Sequence, residues 1–413
     1  MDRTSREAAL ALDAHDPLAP FRHQFVVPDD TVVYLDGNSL GRLPKATRVR
    51  VERELGDMWA GSLITGWGQG WMASPVRVGD LIGEAVLGAR AGQVVVGDST
   101  TVCFYKLVCA ALDARPGRDR IVCDADDFPT DRYVLEAIAA ARGLELVWLE
   151  FDRDAGPDAD ALAAALDPRT ALVTFSHISY RSAHIADMRT INALAHGAGA
   201  LTLWDLSHSA GSVPLALDAD GCDLAVGCTY KYLNGGPGAP AFMYARAELQ
   251  SDLRQPIWGW LGRRDPFLMA PGYEPADGPA ALLSGTPPAI AIACVEEGVK
   301  VVAQAGIEAI RAKAVALTEF AISLADARLR DRSVTVGSPR ECARRGAHVA
   351  LRHHEARSLT AALQARSVIA DFREPDVIRF GLSPLTTRYV DVWDGIDRLL
   401  DLLSLATPRS RQD

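Results

Sequence analysis

Lysine is scarce in this 413-residue chain, which carries only Lys45, Lys106, Lys231, Lys300 and Lys313. Any chemistry that needs a lysine amine therefore has few candidates. Positive charge is not in excess either. A net charge of −10 and a pI near 5.4 argue against a nucleic-acid surface, which needs a basic stripe, and against an anionic membrane partner. No apolar run approaches the roughly 20 residues of a membrane span. The opening MDRTSREAALALDAHDPLAPF has no apolar signal core, so export is not expected and the expected location is cytoplasmic. The seven cysteines are odd in number, scattered and without a CxxC pair. They read as small buried hydrophobes in a reducing compartment, and no metal site is expected. Internal repeats and low-complexity tracts are absent.

What is present is alternation. QVVVGDST, DRIVCDADDF, LELVWLEF, TALVTFSHIS, GALTLWDLSHS and CDLAVGCTYKYL read as buried strands, each short, rich in Val, Leu and Ile, and closed by polar residues. Helical stretches such as RYVLEAIAAARG and MRTINALAHGAG lie between them. This predicts an α/β domain with a mostly parallel sheet and helices on both faces. From about Pro287 the pattern changes to long helical runs, then short strands (AHVALRH, VIRFGLSP) around the helix SLTAALQAR, a smaller α+β domain. The expected division is an N-terminal segment 1–45, a large domain 46–286 and a small domain 287–413. The Gly/Pro-rich stretch from Gly262 to Pro288 reads as a functional loop.

Ligands of open α/β sheets sit beyond the carboxyl ends of the strands, so the residues closing each run are the candidates. Lys231 ends an apolar strand; desolvation there disfavours an ammonium and favours a nucleophilic amine, although a lysine can also snorkel to the surface. Asp205 closes the preceding strand and His208 follows it. A strand-end carboxylate paired with a strand-end lysine suits pyridoxal phosphate (PLP), whose ring nitrogen must stay protonated to accept electrons. Taken singly, Asp205 reads equally as a helix N-cap and His208 as a satisfied buried histidine. Ser99, Thr100 and Thr101 open a helix, where free N–H groups suit a phosphate or an ordinary cap. In DDFPTDRYV, Phe128 suits a ring face and Asp131 a hydrogen-bond acceptor.

Phosphate turn, strand–Asp and strand–Lys, in that order, resemble the aspartate-aminotransferase-like PLP superfamily. YLDGNSLG (from Tyr34), FPTD (from Phe128), DLSHSAG (from Asp205), YKYLNGGPGAPAF, GWLGR (from Gly259), SGTPP (from Ser284) and RFGLSPL (from Arg379) more closely resemble kynureninase, over nearly the whole chain. The resemblance implies Lys231 as the Schiff-base lysine, Asp205 as the pyridinium partner and His208 beside the ring. It places Thr100, Thr101, Asp131 and Tyr230 around the phosphate, Phe128 on the ring face, with Pro129 and Thr130 in the same cofactor-binding turn. Ser176 falls near the cofactor. Trp260 and Thr286 reach a phosphate across a homodimer interface, Arg379 holds the substrate's α-carboxylate, and Trp67 flanks its aromatic ring. Cys103, Tyr105 and Arg263 depart from the family's usual residues without removing a catalytic group.

The implied reaction is hydrolysis of L-kynurenine to anthranilate and L-alanine in tryptophan catabolism, with catalysis by Lys231, Tyr230 and Asp205. With Trp67 and Thr286 at the ring-flanking positions, the unsubstituted substrate is expected to be preferred over its 3-hydroxy form. Three other readings stay open: a ring-modified kynurenine in secondary metabolism, a cysteine desulfurase, for which Cys342 is the one late cysteine, and a non-catalytic PLP-binding homologue.

Overall fold

All six expected strands form, and a seventh is inserted between two of them. The computed structural model describes residues 4–406. Its main sheet runs in the order Val94–Val96, Phe242–Ala245, Leu224–Gly227, Leu201–Asp205, Thr170–Ser176, Arg120–Asp124, Glu145–Leu149. Only Phe242–Ala245 runs antiparallel to its neighbours. Alternation along the strands divides the interior into two cores. Val94, Val96, Val122, Val173 and Trp204 face one side, and Val95, Ile121, Leu172, Leu203 and Val226 the other. Both faces are covered by helices, which is why these strands read as continuous apolar runs rather than alternating ones. Each fully buried side chain of this size contributes roughly 1.5–3 kcal/mol.

The helices Pro129–Arg142 and Met188–Gly197 fall where the sequence places them. Ala289–Ala305 and Ile307–Arg328 are two helices meeting at Gly306, whose φ of +77° breaks the run. A second sheet, antiparallel, carries Asp371–Arg373, Val377–Gly381, His348–Arg352 and Thr335–Val336. Core packing runs across the expected boundaries. Ile292, Val295 and Val299 join the core of the large sheet. At the other end, the helix Arg6–Ala14 lies on Tyr389–Ala406, where Asp13 accepts from the amides of Tyr389 and Val390. The strand Val33–Tyr34 pairs with Val368–Ile369 of the C-terminal unit. Among the described residues no helix is long and apolar enough to cross a membrane.

Candidate active site

The carboxyl ends of the parallel strands converge on one cavity of about 220 Å³. Its walls hold Thr100, Thr101, Phe128, Thr130, Asp131, Ser176, Asp205, His208, Tyr230 and Lys231, ten of the residues expected from the sequence. Pro129 is the first residue of the helix whose N-terminal turn carries Thr130 and Asp131. Ser99, Ile178, Tyr180, Ser207, Gly238 and Ala239 complete the wall.

Of the five lysines only Lys231 lines this cavity. Lys106 is fully buried and bound to Asp98 at 2.6 Å, Lys313 is buried against Asp16 at 2.6 Å, and Lys300 pairs with Glu296 and Glu297. Lys45 is exposed at the start of a helix. The Nζ of Lys231 lies 3.0 Å from Nε2 of His208. Burial, with the facing Lys231 cation second, holds that imidazole well below its ordinary pKa, so it is neutral and Nε2 accepts from the amine.

Asp205 is 8% exposed, and its Oδ1 accepts from the amide of Ser207 at 2.7 Å. Asp131 lies against it. Burial, and then the charges of Asp205 and Asp127, push the Asp131 carboxyl well above the carboxylate range. Asp127 is pushed up to about 7 by burial and by Asp124, and accepts from the amide and hydroxyl of Ser176. Burial also raises the Tyr230 phenol, which stays protonated at neutral pH.

At the other end of the cavity, Ser99 caps the helix Thr100–Asp113 by accepting from the amide of Val102. This leaves the amides of the first turn and the hydroxyls of Thr100 and Thr101 for an anion. Oδ2 of Asp131 and Nδ1 of His208 are buried and, among the described residues, lack a hydrogen-bond partner. A phosphate-binding helix start, an acidic group opposite, an amine between them and unsatisfied polar atoms on the walls fit PLP.

Four expected site residues lie elsewhere. Arg379 is buried behind Tyr180, 1% exposed, and makes four hydrogen bonds: two to Asp371, one to Ser39 Oγ and one to the carbonyl of Tyr180. Its fork is thus already shaped by Asp371. Trp67 and Thr286 share a second, wider cavity of about 820 Å³ with Trp59, Leu63, Ile64 and Trp71. Trp260 sits in a short turn, edge-on to Phe267. Sequence reasoning passed over Asp371, Tyr180, Asp127 and His348. It quoted Ser39 only within GNSLG, whose serine contacts Arg379 from 340 residues away in the chain.

A family model, the kynureninase C-terminal domain, matches residues 310–399. Kynureninase from Burkholderia pseudomallei (strain K96243) is 43% identical over 408 residues, covering 97% of this chain and 95% of that protein. Kynureninase from Pseudomonas fluorescens is 41% identical over 409 residues, covering 98% and 97%. The chain belongs to the kynureninase family. Membership makes PLP its cofactor. Solved structures agree on the fold. The apo cysteine desulfurase of Thermococcus onnurineus NA1 superposes with TM-score 0.78 at 18% identity, over 90% of this chain and 95% of that one. A lysine-to-alanine mutant of C-DES, with glycine covalently linked to the PLP cofactor, gives TM-score 0.79 at 19% identity, over 93% and 98%. The desulfurase likeness is confined to architecture, and Cys342 is an exposed residue in a short turn.

Proposed function

We propose that this protein hydrolyses L-kynurenine to anthranilate and L-alanine, with Lys231, Asp205 and Tyr230 as its catalytic residues. The observation that carries the reading is identity of 41–43% to kynureninases over nearly the whole chain. The reaction adds water across the bond between the side-chain carbonyl carbon and the β-carbon. The carbonyl carbon leaves as a carboxylic acid and the β-carbon takes a proton. PLP, when bound, supplies the electron sink for negative charge developing on the substrate's carbons.

The chain's own residues do the rest. Thr100, Thr101 and the helix start they open hold the phosphate, with Tyr230 beside it. Phe128 would cover a ring face, and Asp205, oriented by the Ser207 amide, would keep the ring nitrogen protonated. Lys231 would anchor the cofactor, and its Nζ, with neutral His208 at 3.0 Å as hydrogen-bond acceptor, is placed to take the α-proton. Protonated Tyr230 serves as proton carrier to the β-carbon. Arg379, set by Asp371, receives the α-carboxylate.

Trp67 and Thr286 share a wall with each other but not with Lys231 of the same chain. That arrangement supports a homodimer in which one copy brings these residues, and Trp260, to its partner's site. The test is to incubate the PLP-loaded protein with L-kynurenine and follow anthranilate by fluorescence and alanine by amino-acid analysis. Equimolar products are expected, and none from Lys231→Ala. Absence of anthranilate from the loaded wild type overturns the reading.

A further inference from the structure

His348 is 0% exposed; its ring approaches the backbone of Arg181, but among the described residues neither ring nitrogen makes a well-formed hydrogen bond. Stability alone does not favour such a residue, because an aliphatic side chain would fill the same space without unpaired polar atoms. Its surroundings point to a function. The His348 ring lies 5.5 Å, centroid to centroid, from the ring of His208. At that spacing two imidazole nitrogens turned along the line of centres come within hydrogen-bond reach. His208 has the complementary need. Its Nε2 accepts from Lys231, so its proton sits on Nδ1, and Nδ1 is buried without a partner.

The two histidines come from different units. His348 opens the strand His348–Arg352 of the small sheet, where Ala350 stands opposite Arg379. Residues 348 and 350 share a face, so His348 lies on the same face as Arg379 and reaches toward the Lys231–His208 pair of the large domain.

We propose that His348 is a positioning residue of the active site: its bare ring nitrogen receives the Nδ1 proton of His208 and so fixes the tautomer and tilt of the ring facing Lys231. Burial, followed by the nearby cations Arg379 and Lys231, outweighs the opposing contact with the Arg181 backbone and holds the His348 imidazole well below its ordinary pKa, neutral and with a ring nitrogen free to accept. A third residue that locks the imidazole of an amine–histidine pair follows the general logic of oriented acid–base groups. Because His348 and Arg379 share one sheet face, binding of a carboxylate at Arg379 and the setting of Lys231 are joined through the same strand pair. The role rests on the catalytic reading of Lys231.

The test compares His348→Leu and His348→Gln with wild type as PLP-loaded proteins. His348→Leu is expected to melt no lower than wild type, because it removes buried ring nitrogens without a well-formed partner, while kcat for L-kynurenine falls by about tenfold to a hundredfold. His348→Gln, which restores a side-chain acceptor, should recover most of kcat. Nitrogen-15 NMR of His208, read without substrate, should show one Nδ1–H tautomer in wild type and His348→Gln, and loss of that single tautomer in His348→Leu. This readout holds its meaning even if L-kynurenine proves not to be the substrate. An unchanged His208 tautomer in His348→Leu, or a lowered melting temperature with wild-type kcat, overturns the proposal.

Discussion

The cavity at Lys231 is closed by Asp131, Asp205 and His208, all under 10% exposed, whereas the cavity at Trp67 is flanked by Trp59, Leu63 and Ile64, exposed at 60, 63 and 77%. The first is lined mostly by polar side chains from the strand and helix ends of one chain. Charges are desolvated there, the Asp131 carboxyl is held well above the carboxylate range, and the amine has a fixed acceptor. The second is an apolar surface that a lone chain leaves to water. Trp258, Phe267, Leu268 and Met269, on the segment that carries Trp260, are also exposed. The contrast separates two tasks. Residues that handle protons and the cofactor come from strand ends of one sheet, whose rigidity places them. The residues proposed to judge the substrate's ring come from a segment, 54–67, wound as a π-helix and a 3-10 turn, and from a loop, 284–288, and on that reading gain their setting by being covered.

The contrast breaks most sharply at Asp205. Asp205→Asn keeps the shape of the enclosed pocket but removes the charge that holds a ring nitrogen protonated. We expect the variant to fold and bind PLP while kcat falls by at least about a hundredfold, or about 2.7 kcal/mol of barrier. Steady-state kinetics on the loaded variant decides it, and a kcat near wild type would show that the Asp205 charge is not what sustains turnover.

A charge in the open cavity should act by another route. Ile64→Asp buries a carboxylate in the proposed dimer interface, and an interface does not tolerate an unpaired charge. The expected outcome is a shift toward monomer in light scattering, with kcat/KM reduced about tenfold or more and an intact PLP spectrum. A monomeric variant that is fully active would show that the ring-facing residues act within one chain. Equal loss of PLP would show that the two cavities are not separate.

These same differences decide what could be read without a structure. Asp205 and Lys231 stood out because each closes a run of buried residues, a purely local signal, whereas Ser176 was reached only through family resemblance. The strand Phe242–Ala245 did not, since it is four residues long and follows a Gly/Pro stretch. The surroundings of Arg379 were hidden because Ser39 and the Tyr180 carbonyl come from 340 and 199 residues away in the chain. His348 carries no local mark at all: within AHVALRH it is one polar residue in a strand. Its meaning comes only from the opposing sheet that sets it against His208. Trp67 and Thr286 were linked through family resemblance, and the shared wall of one cavity is what joins them physically.

The smallest effect tests that wall. Trp67 stands edge-on to Trp71 at 5.3 Å, and Trp71 Nε1 donates to Glu54 Oε2 at 2.8 Å. Glu54 is in turn held by Arg50 at 2.7 Å. The indole is therefore braced from behind and presents a fixed face, with one N–H donor and no acceptor for a ring hydroxyl. A hydroxyl buried against it without a partner loses roughly 1–3 kcal/mol. Apolar pockets reject an added hydroxyl by about a hundredfold at most, and the Thr286 hydroxyl in the same cavity offers partial relief. We therefore expect wild type to prefer kynurenine over 3-hydroxykynurenine by about tenfold in kcat/KM, a preference rather than an exclusion. Trp67→His supplies a nitrogen acceptor in a smaller ring and should narrow the ratio severalfold, chiefly by improving the hydroxylated substrate. Measuring kcat/KM for both substrates in both proteins decides it. Equal values in wild type would show that the braced indole does not set the choice, and an unchanged ratio in Trp67→His would move the selectivity to Thr286 and the loop that carries it.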